Sequence, residues 1–294
     1  MRVAITKAWI LSVAVLSTAA VGGCRSERRI PEDHPQSFAA VRMEDVVFHS
    51  TALGRDVTYR VYLPAQIAAG AKLPVVYLLR GAWESYRTWS DYSDVGRLTA
   101  KGMIFVMPDG ALSYWVNEAG VPEDRYGNFL LDDLRADVER RFPAQTDRSG
   151  RAIVGVSMGG FAAVNYALTR PDLFSFAGAL SPALDAPERP FSWRRLGQSM
   201  RLKRVFGPDG SPQRRQEDPF VLVKTADPAK TPYIYVTAGD QEALLGPVRR
   251  LATQLKRRGF VYKLQTTPGG HNWGTWNRQT SGCFDALMNT MNVR

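Results

Sequence analysis

Arg151-Ala152-Ile153-Val154-Gly155-Val156-Ser157-Met158-Gly159-Gly160 is the stretch on which the fold of this chain turns. Arg151 to Val154 reads as a strand buried on both faces, and Gly160 to Leu168 as a small-residue helix that stops before Pro171. Between them, Gly155-Val156-Ser157-Met158-Gly159 has the form G-x-S-x-G, weak alone but informative where strand, sharp turn and helix enclose it. The glycines permit a strained turn without side-chain clashes, which leaves the Ser157 hydroxyl exposed above a sheet.

Outward from that turn, short apolar or alternating runs bounded by turn residues predict further strands over 46–48, 57–63, 75–79, 104–107, 176–180, 233–237 and 260–264. Phe129, Leu130, Leu134, Val138 and Phe142 recur at helical spacing before Pro143, and Leu244, Val248, Leu251 and Leu255 repeat the pattern before Gly259. Strands alternating with helices make an α/β fold, a mostly parallel sheet with helices on both faces. The first two or three strands have no helices between them and are expected to pair as an antiparallel edge.

A serine hydroxyl attacks poorly until a neighbouring base accepts its proton. His34 and His49 precede Ser157, whereas α/β-hydrolases present serine, acid and histidine in that chain order, so His271 is the candidate base. It follows the last predicted strand, in the Gly-rich loop Thr267-Pro268-Gly269-Gly270-His271-Asn272-Trp273. An acid to orient the imidazole is sought after the strand over 233–237, where Asp240 and Glu242 both stand.

Four segments together carry a resemblance: Gly155 to Gly160, Tyr77-Leu78-Leu79-Arg80-Gly81, Met107-Pro108-Asp109-Gly110, and Pro268 to Trp273. From about Val46 to Phe284 the chain resembles the esterase family of α/β-hydrolases. That family includes S-formylglutathione hydrolases, feruloyl and acetylxylan esterases, and mycobacterial mycolyltransferases. The resemblance implies an α/β-hydrolase fold and an oxyanion hole built from the backbone N–H groups of Met158 and Ala82. It also favours Glu242 over Asp240 as the acid, because Gly239 puts Glu242-Ala243-Leu244 in the family's register. The chain departs from the family at Arg80, where a histidine often stands, and this bears on local polarity more than on backbone donors.

The reaction so implied is a two-step acyl transfer on acylated carbohydrate, aromatic or lipid esters, with water releasing the acid from an acyl-enzyme. The alternatives are transfer of the acyl group to a carbohydrate acceptor, or a surface lipoprotein that uses the fold only to bind. The scattered histidines and the two cysteines do not make a metal site, and no Walker or dinucleotide pattern is present, so neither metal nor cofactor is expected.

Length and composition fit one large globular domain. The formal charge of +10 is spread along the chain rather than gathered in one arm, which argues against a nucleic-acid partner and leaves a bias toward anionic surroundings. Arg2 and Lys7 precede an apolar run from Ala8 to Val21, too short to span a bilayer and of the form of an export signal. Val21-Gly22-Gly23-Cys24 resembles the bacterial lipobox, which makes Cys24 the candidate lipidation site and the protein a membrane-anchored lipoprotein of the cell envelope, or otherwise a secreted or periplasmic one. The expected organisation is a signal over 1–24, a flexible tether over 25–39 and a single esterase domain over 40–294. The segment from Ser181 to Pro219, with basic residues from Arg189 to Arg215, is expected to form a wall of the pocket, its charges either solvated or facing an acidic substrate.

Overall fold

Every expected strand forms in the structure, a computed structural model that describes residues 33–293. The expected export signal, with Cys24, and the tether up to residue 32 lie outside the described residues. The strands are β1 Val41–Ser50, β2 Arg55–Pro64, β3 Val75–Leu79, β4 Ile104–Pro108, β5 Arg151–Val156, β6 Phe176–Leu180, β7 Tyr233–Gly239 and β8 Tyr262–Thr267. They join in one sheet in the order β1-β2-β4-β3-β5-β6-β7-β8. The antiparallel edge consists of β1 and β2, with β2 running against β4. β3 instead pairs parallel with both β4 and β5, because the segment over 80–103, with short helices Thr88–Tyr92 and Gly96–Thr99, carries the chain across between β3 and β4.

Alternation along the central strands builds a core on each face. Val75, Tyr77 and Leu79 of β3, with Ile104 and Val106 of β4, meet the side chains of Phe129, Leu134, Val138, Phe161 and Val248. Val76 and Leu78, with Phe105 and Met107, meet Trp89, Trp276, Phe284 and Leu287 on the other face. The first group comes from the helical stretch over 126–141, which contains a π-helical turn at Phe129–Leu134, and from helices Met158–Thr169 and Leu245–Arg258. The second comes chiefly from helix Trp273–Met291, started by the Asn272 side chain accepting from the Thr275 amide. Fully buried Cys283 sits on this second face as a free thiol.

Before β1, residues of the expected tether already touch the sheet. Asp33 accepts two hydrogen bonds from the Arg60 guanidinium, at 2.6 and 2.9 Å, and Asp45 of β1 accepts from Arg60 Nε at 2.7 Å. Arg60 is 1% exposed, and these carboxylates are what make a buried cation tolerable there. Gln36 donates its amide to the Ser90 carbonyl, and Phe38 packs edge-on against Tyr62.

Around Ser157 the fit of backbone on backbone is close. A methyl group added at Gly159 would fall on the Leu79 carbonyl of β3, and one added at Gly155 would fall on the main chain of Gly159. Neither neighbour is a flexible side chain, so neither clash is relieved by a rotamer change. Gly159→Ala is therefore expected to cost about 3 kcal/mol or more, measured as a lower urea midpoint at unchanged slope; an unchanged midpoint would contradict this account of the packing.

Candidate active site

Three loops at the carboxyl ends of the parallel strands meet at Ser157. The first follows β5 directly. Ser157 has φ 53° and ψ −110°, a conformation rare for a residue with a Cβ, held by its amide donating to the Leu180 carbonyl at 2.8 Å. Its own carbonyl accepts from Phe161 in the helix below and from Ala183 in the loop after β6.

The second loop follows β8. His271 brings Nε2 to 2.9 Å from Ser157 Oγ and Nδ1 to 2.8 Å from Glu242 Oε2. An ionised carboxylate can only accept, so Nδ1 carries the proton and Nε2 presents its lone pair to the serine hydroxyl. The ring stands edge-on to Trp276, 5.0 Å between centroids. Its neighbour Trp273 packs among Trp89, Tyr92 and Trp276 and donates Nε1 to Glu84 Oε1 at 2.7 Å.

The third loop follows β7 and carries both acids the sequence left open. Glu242 is buried and turns inward. Its Oε1 accepts from the Ser181 hydroxyl at 2.6 Å and from the Gly239 amide at 2.8 Å, while Oε2 meets the imidazole. Burial pushes this carboxyl up, but the hydrogen bonds from His271, Ser181 and Gly239 outweigh it and hold Glu242 below the ordinary glutamate value. Asp240 is exposed and accepts from the Gly269 amide at 2.9 Å, so it braces the histidine loop without reaching the imidazole.

The candidate oxyanion donors lie on either side of the hydroxyl. Met158 opens the helix immediately after Ser157, and Ala82 lines the same cleft as Ser157 and His271. Gly81 approaches so closely that an added Cβ would stand 3.4 Å from Ser157 Cβ. The Gly81 amide is engaged at 2.6 Å by Glu84, which leaves the next amide, that of Ala82, as the one beside the cleft. Burial raises the Glu84 carboxyl above its usual range despite the hydrogen bonds from Gly81 and Trp273. Arg80 is buried, pairs with Asp109 at 2.5 Å and donates Nη1 to the Gly81 carbonyl at 2.8 Å.

The cleft measures about 460 Å³ and is walled by Trp83, Leu112, Tyr114 and Ala183, and by Gly197, Gln198, Arg201 and Leu202 of helix Leu196–Phe206. The segment from Ser181 to Pro219 thus supplies one wall, through Arg189 and Arg201 among its basic residues. Others in that segment have structural roles: buried Arg214 donates to the carbonyls of Arg189 and Gly207, and Arg204 pairs with Glu118 and Asp124. Two contacts of the site were not foreseen in the sequence. Ser181 carries no motif, although its place at the end of β6 beside β7 is a signal for a group near the acid, and Glu84 follows the Arg80-Gly81 segment without any spacing that singles it out.

Residues 50–284 match the family described as "Putative esterase". Among curated proteins, an acetyl esterase of Caldicellulosiruptor saccharolyticus is 26% identical over 81% of this chain and 95% of its own length. A diacylglycerol acyltransferase/mycolyltransferase Ag85A of Mycobacterium gordonae is 27% identical over 80% of this chain and 73% of its own. Other relatives are longer proteins, of which the chain spans 35% in one case and 54% in another. Among solved structures, the fluorophosphonate-binding serine hydrolase FphF of Staphylococcus aureus superposes with a TM-score of 0.73 at 21% identity, covering 85% of this chain and 98% of its own. With its eight-stranded sheet and helices on both faces, this chain belongs to that esterase family and is an enzyme of the α/β-hydrolase fold.

Proposed function

We propose that the protein is a serine carboxylic-ester hydrolase in which Ser157, His271 and Glu242 act as a triad. The observation that carries the reading is the continuous hydrogen-bonded chain from Ser157 Oγ through the imidazole to Glu242, with Nε2 and Nδ1 at 2.9 and 2.8 Å from their partners. Ser157 attacks the ester carbonyl as His271 takes its proton, and the resulting oxyanion sits against the Ala82 and Met158 amides. The imidazolium, held by Glu242, then returns the proton to the departing alcohol. Water activated by the same imidazole releases the acid from the acyl-serine.

The apolar lining of the cleft by Leu112, Tyr114 and Leu202 supports esters with an apolar acyl or aromatic group, and the family resemblance adds acylated carbohydrate, aromatic or lipid esters as the substrate class. Transfer to a carbohydrate acceptor is the second reading, favoured by the similarity to the mycolyltransferase. It is separated from hydrolysis by product analysis with and without the sugar acceptor. Export and lipidation at Cys24 complete the proposal, with the residues between Cys24 and Asp33 as the link and the folded body from Asp33 onward as the single catalytic domain.

Ser157→Ala should abolish ester hydrolysis and fluorophosphonate labelling while leaving the fold intact, since one oxygen is removed and no large cavity is made. Labelling of the variant at another serine would sink the assignment. Glu242→Gln should lower kcat by about ten-thousandfold with little change in KM, because the imidazole loses the partner that fixes its tautomer; Asp240→Asn should have a mild effect, and the reverse pattern would move the acid to Asp240. In a bacterial host the protein should partition into membranes and lose this on Cys24→Ser, each buried methylene of a lipid chain contributing roughly 0.8 kcal/mol. A mature N-terminus elsewhere, without lipid mass, would count against the anchor.

A further inference from the structure

The wall of the cleft formed by helix Leu196–Phe206 has an outer face that catalysis does not use. Val205 and Phe206 turn into the protein, and Gly197, Gln198, Arg201 and the buried Leu202 line the cleft. The remaining side of the helix presents Leu196 and Met200, one turn apart and 46% and 53% exposed. The turn Trp193–Arg195 leading into the helix adds Trp193, 80% exposed, whose ring meets that of Phe191 edge-on at 5.1 Å. The turn is not loose, because the Ser199 side chain accepts from the Ser192 amide at 2.9 Å and donates to the Ser192 carbonyl, fixing the aromatic pair to the helix.

Cations rim this apolar patch, and the carboxylate beside it, Asp209, accepts from the Phe191 amide at 2.6 Å and is paired with Arg214. Arg194, Arg195 and Lys203 are exposed and form no ion pair among the described residues, unlike Arg204 and Arg189, which are held by Glu118 and Asp185. A sugar-binding platform would offer free hydrogen-bond acceptors beside its aromatic rings; here the carboxylate beside the pair, Asp209, is taken up by the Phe191 amide and Arg214. The exposed residues that follow Trp193 in the turn and on the outer side of the helix are Arg194, Arg195, Leu196 and Met200. An indole, two flexible aliphatic side chains and a rim of unpaired cations suit the interface of an anionic bilayer, where the rings and chains enter the headgroup region and the cations meet phosphate.

We propose that this face, Trp193 with Leu196 and Met200 rimmed by Arg194, Arg195 and Lys203, docks the protein on anionic lipid surfaces and brings the mouth of the cleft against them. It is separate from the proposed anchor at Cys24, and it does not depend on the catalytic assignment, since docking is read by binding alone.

The test uses the full chain with Cys24→Ser, so that no attached lipid contributes, against the same chain also carrying Trp193→Ser, Leu196→Ser and Met200→Ser. Cosedimentation with phosphatidylglycerol/phosphatidylcholine vesicles should show the parent binding at least about tenfold more tightly than to phosphatidylcholine alone, with the difference falling as salt is raised. The triple variant should lose about tenfold or more in affinity for the mixed vesicles, and Arg194→Ser with Arg195→Ser should lose the preference for anionic lipid. Unchanged hydrolysis of a short soluble ester and an unchanged thermal midpoint verify that the variants are folded. Equal binding by parent and triple variant, absence of any preference for anionic vesicles, or equally tight binding to a soluble acidic polysaccharide would each overturn the proposal.

Discussion

The site rests on the main chain of Ser157. Its positive φ stores strain that an isolated turn would release, and the strain persists because the amide is pinned to Leu180 of β6 and the following helix packs its glycine against β3. Two neighbouring strands therefore fix the hydroxyl from opposite sides. That explains why the requirement falls on Gly155 and Gly159 rather than on any larger surface: the backbones must approach within the space of a methyl group. The loops after β6, β7 and β8 are then positioned relative to a main chain held from two sides.

From that fixed point the polar chain runs inward. Glu242 is buried, and a buried carboxylate is costly unless donors surround it. It has three partners, the imidazole, the Ser181 hydroxyl and the Gly239 amide, whose hydrogen bonds outweigh the upward push of burial. In the triad we propose, an ionised Glu242 would both accept the Nδ1 proton and favour the charged imidazole that forms as serine attacks. Ser181 itself sits at φ 47°, another positive value at a strand end, so a second strained residue supports the charge that the first one needs.

Much of the fold is legible in the sequence, and the reason is local. Strands buried on both faces are long apolar runs, and β3, β4 and β6 reproduce theirs almost residue for residue, while the turn at Ser157 demands glycines that can be read directly. Chain order singled out His271 and the family's register favoured Glu242 over Asp240, and the fold sets that imidazole between Ser157 and Glu242. What escaped was whatever depends on packing between distant segments. The place of β3 inside the parallel sheet is set by the crossover over 80–103, not by its own sequence, and helix Trp273–Met291 alternates polar and apolar residues too irregularly to announce itself. Ser181 and Glu84 are ordinary residues whose roles arise from what the fold brings to them.

The departure at Arg80 shows the same logic from the other side. Read in the sequence, an arginine beside the oxyanion loop places a charge where the family often has a histidine. In the fold the charge is matched by Asp109 and the guanidinium bonds the carbonyls of Gly81 and Ala111, so it acts as a brace. The Gly81 carbonyl and the Ala82 N–H belong to one planar trans peptide and point in opposite directions. Holding the carbonyl on Arg80 therefore aims the Ala82 N–H away from the guanidinium, and a charge-assisted bond at one end of a peptide polarises the donor at the other. The loop is closed on its other side by Glu84, which takes the Gly81 amide and ties it through Trp273 to the histidine loop. The Gly81-Ala82 peptide and the histidine loop are thus tied to one another through Arg80, Glu84 and Trp273. A substitution that looks like a loss of the family's pattern is, at this position, a different way of holding the same peptide.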